Sequence, residues 1–414
     1  MKKILFFILL YALTTTPYQL YSWDGEDHHT MTRYALHDVT REWKLYQPIT
    51  VTPIRSFLKK LEALRPEFRD PWFFSNYLKI NTTIDLDMQH ADTKGRSALT
   101  PFEILSSYAT DPDEGRDEDL FVRDAHGNPK AMFPDQVWFG ELQGANSKAF
   151  RHLEKPPFSF AHPITTFGFP FRKLGEATDR AEIYYQLSLL AFSLDEPYWG
   201  WRFLAGSFHY LQDLHQPYHA AQITPSLASE AVHAFFDWGH KQDNSFRGFI
   251  RTAAHLVSNS HRFYESYMAR PGPESTTYKE NVLKSLMGTS VLDKTPDSVK
   301  SMAIKTRDDS NLVWADLERW IHHIMTPKLQ SSEYSLVTET EPRDKPESFL
   351  VKESDFDEVN QRIFEVTQAR FTEAGKVMRT EIRMILDQPQ HPDPKSILAA
   401  LDRLLSYTPT SLPQ

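Results

Sequence analysis

"WRFLAGSFHYLQDLH", residues 201–215, carries an almost continuous apolar face at helical spacing, and "DRAEIYYQLSLLAF", residues 179–192, does the same. A helix that is apolar over most of its circumference belongs in the middle of a protein. The two stretches therefore predict the buried centre of an all-α fold. Working outward, "HTMTRYALHDVTREWKLY" (29–46) is amphipathic, and "PIRSFLKKLEAL" (53–64) opens with a proline suited to a first turn. "FRGFIRTAAHLVSNSHRFYESYMA" (246–269), "LVWADLERWIHHIMT" (312–326) and "DEVNQRIFEVTQARFTEAGKVMRTEIRMIL" (357–386) continue the helical period. Period-2 strands are scarce. Two irregular stretches interrupt the pattern, near 109–180 and 328–352, and a short helix and tail over 391–414 follow "ILDQPQHPDP".

The chain of 414 residues begins "MKKILFFILLYALTTTPYQLYSW", with two lysines ahead of an apolar run of ten residues, Ile4 to Leu13. That run is too short to span a bilayer and reads as a secretory signal peptide over 1–22. Export is expected, to the periplasm or beyond, with no transmembrane anchor left after cleavage. The mature chain would start at Trp23 and form one all-α domain over 23–390. It has no cysteine, so rigidity must come from the core, from ligands or from metal ions. Without Lys2 and Lys3 it carries 44 basic and 55 acidic residues. That balance argues against a nucleic-acid-binding surface.

The polar residues of the buried stretch hold the chemistry. "FHYLQDLHQPYHAAQ" (208–222) concentrates His209, Asp213, His215 and His219. His209 and Asp213 are four apart and share a helix face, about 40° from alignment. Pro217 should stop the helix and let His219 point back from a loop. "AVHAFFDWGH" (231–240) repeats the four-residue spacing with His233 and Asp237. Imidazole and carboxylate are zinc's ligands where thiolates are absent. A single pair of this kind is more often a helix-surface contact, but two within thirty residues, with His219 between them, favour a metal site. His215 falls off the shared face and reads as structural; His240 reads as solvated.

These motifs resemble those of the zinc-dependent bacterial phospholipases C, including clostridial alpha-toxin, and the related single-strand nucleases. The matched pattern is His209-x3-Asp213-x5-His219, then His233-x3-Asp237, with Trp23 followed closely by His28. "ARFTEAGKVMRTEI" (369–382) is similar to the family's closing helix. The resemblance implies a trinuclear zinc site. His209 and Asp213 would bind one zinc with an upstream aspartate and histidine, and His219, His233 and Asp237 would bind a second. Trp23, through its liberated amino nitrogen and carbonyl, would hold the third with His28 and the other oxygen of Asp213. His29 competes with His28. In "SSYATDPDEG" (106–115) the ungapped match is Asp111, with Asp113 and then Asp135 as alternatives. His152 is the upstream histidine by spacing, with His162 as the fallback.

The implied reaction is hydrolysis of the glycerol–phosphate bond of a phospholipid at a membrane surface. Asp111 and Asp213 carry the expected catalytic roles, Asp111 by orienting or deprotonating water. "YHAAQIT" (218–224) looks like the phospholipase form, and "HAFFD" (233–237) lacks the tryptophan usual before the nuclease aspartate. Glu26 stands where a phosphatidylcholine-hydrolysing relative has a head-group glutamate. Apolar loops around 155–171 would meet the membrane. The alternatives are a zinc-dependent single-strand nuclease or 3'-nucleotidase, and a zinc-binding interaction protein without chemistry.

Overall fold

The computed structural model describes residues 25–39, 43–80, 85–113, 121–123, 129–131, 152–155, 174–221, 259–261, 263–265, 267–268, 278–330, 357–388 and 392–406. Among them the fold is all-α with packed loops. In chain order the helices are α1 (Gly25–Leu36), α2 (Ile54–Glu62), α3 (Pro71–Leu78), α4 (Pro101–Tyr108), α5 (Ala177–Ser193), α6 (Pro197–His215) and α7 (Pro217–Ala220). α8 (Tyr278–Lys284), α9 (Val299–Ile324), α10 (Asp357–Leu386) and α11 (Pro394–Ser406) follow. The strands are minimal antiparallel pairs: β1 (Ile49–Thr50) with β2 (Ala98–Leu99), β3 (Phe121–Arg123) with β4 (Pro129–Ala131), and β5 (Glu154–Lys155) with β6 (Leu174–Gly175).

The α5–α6 hairpin is the axis of the molecule. α6 touches α1, α4, α5, α9 and α10, and every residue from Tyr198 to His215 is buried. The two helices approach closely because α6 has glycine where it faces aromatic rings of α5. A Cβ on Gly206 would lie 2.5 Å from the Tyr184 ring, and one on Gly200 would lie 2.7 Å from Phe192. The hairpin turn is tied to α2 through Glu196, which accepts from Ser56 Oγ at 2.6 Å and Thr52 Oγ1 at 3.1 Å and pairs with Lys60 Nζ at 3.0 Å.

The thirty-residue α10 spans the stretch predicted from periodicity. α1 is shorter than its amphipathic pattern, ending at Leu36, with a separate 3-10 turn at Trp43–Tyr46. α2 starts one residue after Pro53, which serves as the N-cap. α4 is started by a capping box, Thr100 with Glu103. α11 is built into the same core, burying Ile397, Leu398, Leu401 and Leu405. Arg65 and Tyr77 anchor it from outside through the Asp402 carboxylate, Arg65 Nη1 at 2.9 Å and the Tyr77 hydroxyl at 2.8 Å. The segment 1–22 expected to be a signal peptide, most of the aromatic loop 155–171 and residues 331–350 lie outside the described residues.

Pro217 does more than stop α6. The residue before a proline is pushed to extended backbone, and Gln216 sits at φ −85° and ψ 115°. Pro217 then occupies the first position of α7, where its missing N–H is harmless. The Gln216 side chain caps the new turn, accepting from Tyr218 N at 2.6 Å. His219 therefore stands on a short helix, not a loop.

One buried acid belongs to none of the groups that could hold a metal ion among the described residues. Glu381 on α10 is fully buried, with Oε1 2.5 Å from Ser207 Oγ and Oε2 without a hydrogen-bond partner among the described residues. Ser207 has one hydroxyl proton, and its Oγ also lies 2.9 Å from Ala181 O, a pure acceptor. The proton between Ser207 and Glu381 therefore belongs to the acid. Burial, together with the charge of Glu182, holds the Glu381 carboxyl well above the ordinary range. A carboxyl whose folded pKa is raised favours the folded state at low pH and loses that contribution as pH rises above its unfolded value, at up to about 1.4 kcal/mol per pH unit. Glu381→Gln keeps a donor toward Ser207 and removes the titration. Its melting temperature should match the parent's near pH 4 and exceed it increasingly between pH 5 and 8. A constant difference across that range would show that Glu381 is ionised in the fold.

Candidate metal centre

A buried helix tolerates polar residues only when each is partnered. α6 carries several, and three of them reach the same place. Asp213, fully buried, is the hub. Its Oδ2 lies 2.8 Å from His152 Nδ1 and 3.2 Å from His209 Nε2; its Oδ1 lies 3.6 Å from His28 Nε2 and 3.5 Å from His219 Nδ1. His209 Nε2 is 2.7 Å from His152 Nδ1. Asp113 closes the far side, with Oδ2 3.6 Å from His28 Nε2 and Oδ1 3.7 and 3.8 Å from His152 Nδ1 and His209 Nε2.

Three of the histidines are held by one device. His28 Nδ1 donates to Gln212 Oε1 at 2.6 Å, His209 Nδ1 to Ala109 O at 2.7 Å and His219 Nδ1 to His152 O at 2.8 Å. An acceptor at Nδ1 fixes both the ring orientation and the tautomer and presents Nε2 as the ligand atom. Gln212 is itself held by Thr32 Oγ1, at 2.8 Å, one turn beyond His28 on α1. His152 is placed by the β5–β6 pair, whose Leu153 carbonyl accepts from Glu176 N at 3.1 Å just before α5.

A second group lies on the other side of His219. His261 and Glu265 stand four apart in helical backbone, with His261 Nε2 2.9 Å from Glu265 Oε1. The ring centroids of His219 and His261 are 4.9 Å apart and nearly perpendicular. Tyr218 stacks flat on His261 at 5.4 Å, and the Gln216 amide nitrogen sits between His261 Nε2 and Glu265 Oε1. Among the described residues ligand-capable atoms thus form three triads, each within 4.8 Å: His28–Asp113–His209, His152–His209–Asp213 and His219–His261–Glu265.

These groups can hold metal ions. A tetrahedral shell with bonds of about 2.0–2.1 Å has ligand–ligand edges of about 3.3–3.4 Å, and the distances around Asp213, 2.7 to 3.8 Å, straddle that value. Asp213 Oδ1 and His219 Nε2 are buried without a hydrogen-bond partner among the described residues, an arrangement that a cation would satisfy. Burial pushes the His28 imidazole down to about 4, aided by the charge of His209, and pushes His219 down to about 4. Both are neutral at pH 7, as a ligand must be. Burial also works against charge on His209, but Asp213 and Asp113 raise it to about 9. Burial likewise opposes ionisation of Asp213, yet His209 and His152 hold its carboxyl well below the usual range.

The structure brings together His28, His152, His209, Asp213 and His219, all expected from the sequence. Asp111 needs correction. Its carboxylate points away to Arg202 Nε at 3.2 Å and His90 Nε2 at 2.6 Å, while Asp113, two residues on, faces the histidines. A buried guanidinium must have its counter-charge, and Asp111 supplies it. His29 is half-buried on α1 and belongs to none of the triads; His215 is buried with Nδ1 donating to Leu211 O at 2.6 Å. Glu26 falls in the first turn of α1, placed by its backbone alone. Trp23, His233, Asp237, Asp135, His162 and His240 lie outside the described residues. Gln212, His261 and Glu265 are additions that the sequence reading did not single out. No protein family, no curated protein and no solved structure matches this chain.

Proposed function

We propose that the chain is an exported zinc-dependent phosphodiesterase of the phospholipase C type, cleaving the glycerol–phosphate bond of a phospholipid. The observation that carries this reading is Asp213, a buried carboxylate whose two oxygens face different histidines: His152 and His209 from one, His28 and His219 from the other. Such a carboxylate suits two cations at once. Asp113, His152 and His209 would hold one zinc with Asp213. His28 would hold another with Asp213 and, by the resemblance, the amino terminus at Trp23. His219, His261 and Glu265 would hold the third.

When bound, zinc neutralises phosphate charge and lowers the pKa of coordinated water from about 15.7 toward about 7. The chain's own part is to fix the ligand atoms and keep them dry. Gln212, the Ala109 carbonyl and the His152 carbonyl each lock one imidazole before any substrate arrives, which favours preorganised electrostatic catalysis. In the hydrolysis, a phosphorus–oxygen bond to water forms, the bond to the glycerol oxygen breaks, and that oxygen leaves with a proton as diacylglycerol.

Phospholipid is favoured over nucleic acid by "YHAAQIT", by the missing tryptophan before Asp237, and by the acidic balance of the chain. Among the described residues no helix is long and apolar enough to cross a membrane. The test is zinc analysis of the mature protein with phosphorylated head-group release from phosphatidylcholine vesicles and cleavage of single-stranded DNA measured side by side. Close to three zincs and head-group release are expected. DNA cleavage without lipid hydrolysis would transfer the reading to the nuclease class, and active protein with less than one zinc per chain would end it.

A further inference from the structure

We propose that Arg202, Asp111 and His90 are positioning residues that aim Asp113 at the metal centre; this rests on reading Asp113 as a ligand. Asp113 lies just beyond the end of α4, after a turn that carries Thr110 Oγ1 to Ser107 O at 3.1 Å and Asp111 N to Tyr108 O at 3.1 Å. Pro112 adds no N–H to this set. The turn is also held from outside. Arg202 Nε and His90 Nε2 take one oxygen each of the Asp111 carboxylate, at 3.2 and 2.6 Å.

Arg202 is a rigid anchor. Its Nη1 donates to the Tyr198 hydroxyl at 3.1 Å and its Nη2 to Met88 O at 2.8 Å. The guanidinium lies 3.9 Å from the centroid of the Tyr108 ring. Arg202 and His209 are seven residues apart on α6, so they share a face about two turns, roughly 10.5 Å, apart. His209 grips the same turn through Ala109 O. One helix therefore clamps residues 109 and 111 at two points while supplying His209 and Asp213 to the centre, so the turn and the ligands move as one body. A charge buried on the central helix costs more than an apolar side chain of similar volume; here it sets the direction of the chain into Asp113.

The test is zinc titration of the metal-free mature protein against a chromophoric chelator, with the parent, Asp113→Asn, Asp111→Asn, Arg202→Met and Arg202→Lys. Near-ultraviolet dichroism checks each metal-free fold. Asp113→Asn should weaken one zinc about a hundredfold or more. Asp111→Asn and Arg202→Met should weaken that same zinc about tenfold and leave the His219 group untouched, and Arg202→Lys should restore part of the loss. General destabilisation would not select one zinc. Normal zinc binding by Asp113→Asn would remove the ligand reading itself. Loss in Asp113→Asn with parental binding in Asp111→Asn would overturn the positioning role alone. If Arg202→Met does not fold, the near-isosteric Asp111→Asn decides, and collapse of its metal-free fold would make the pair a general stabiliser and refute the proposal.

Discussion

Under the proposed function, Asp213→Asn is expected to lower phosphodiesterase turnover by about a thousandfold or more, equivalent to about 4 kcal/mol at the transition state, and to reduce bound zinc from three to one. Among the described residues Asp213 faces four histidines. The amide keeps the shape but replaces one oxygen with a donor and removes the charge that would balance two cations. The remaining zinc should be the one at His219, His261 and Glu265, a triad that does not include Asp213. The substitution also has a signature without metal. His209 sits at about 9 because Asp213 and Asp113 outweigh its burial. A histidine raised above its unfolded value of about 6.5 favours the fold fully below that pH, and the contribution is lost as pH rises through about 9. The metal-free parent should therefore lose stability across that window, and Asp213→Asn should lose much less. Zinc content and turnover equal to the parent's would remove Asp213 from the centre.

What could be read ahead of the structure followed the range of the physics involved. α10 repeats its apolar residues over thirty positions, and its bounds emerge as predicted. The burial of α6 was legible from its apolar circumference, and His209 with Asp213 from the four-residue period. Choices between near neighbours were not legible. Asp111 and Asp113 are chemically identical carboxylates in one turn, and the residue that separates their roles is Arg202, ninety-one positions away. The partner of His28 is Gln212, 184 positions away, which only the packing of α1 on α6 brings into reach. Pro217 was read for the bond it forbids, and the helix it starts went unseen. His261 and Glu265 show the same four-residue spacing that drew attention to His233 and Asp237. Nothing in that spacing ties them to His219; folding does, bringing the His219 and His261 rings to 4.9 Å.

That last pair leads to an experiment with opposed outcomes. His261→Ala and Glu265→Gln are each expected to remove one zinc of three and weaken its binding by at least about a hundredfold, because each deletes one of three protein ligands from a site that has few to lose. His233→Ala and Asp237→Asn, at the pair expected from the resemblance, measure whether that zinc also draws on them. The argument is geometric. His219 has its Nδ1 committed to the His152 carbonyl at 2.8 Å, so only Nε2 is available, and that nitrogen is buried with no hydrogen-bond partner among the described residues. His261, fully buried beside it, and Glu265, one turn on, supply a second nitrogen and a carboxylate within 4.8 Å. Tyr218 and Gln216 hold the pair from the same α6–α7 junction that holds His219. His233 and Asp237 have the spacing expected from the resemblance, fourteen residues from His219. If their variants lose zinc while those of His261 and Glu265 keep all three, spacing outranks geometry and the second triad is only a buried polar cluster. If variants of both pairs lose the same zinc, His219 shares its metal with four further ligands.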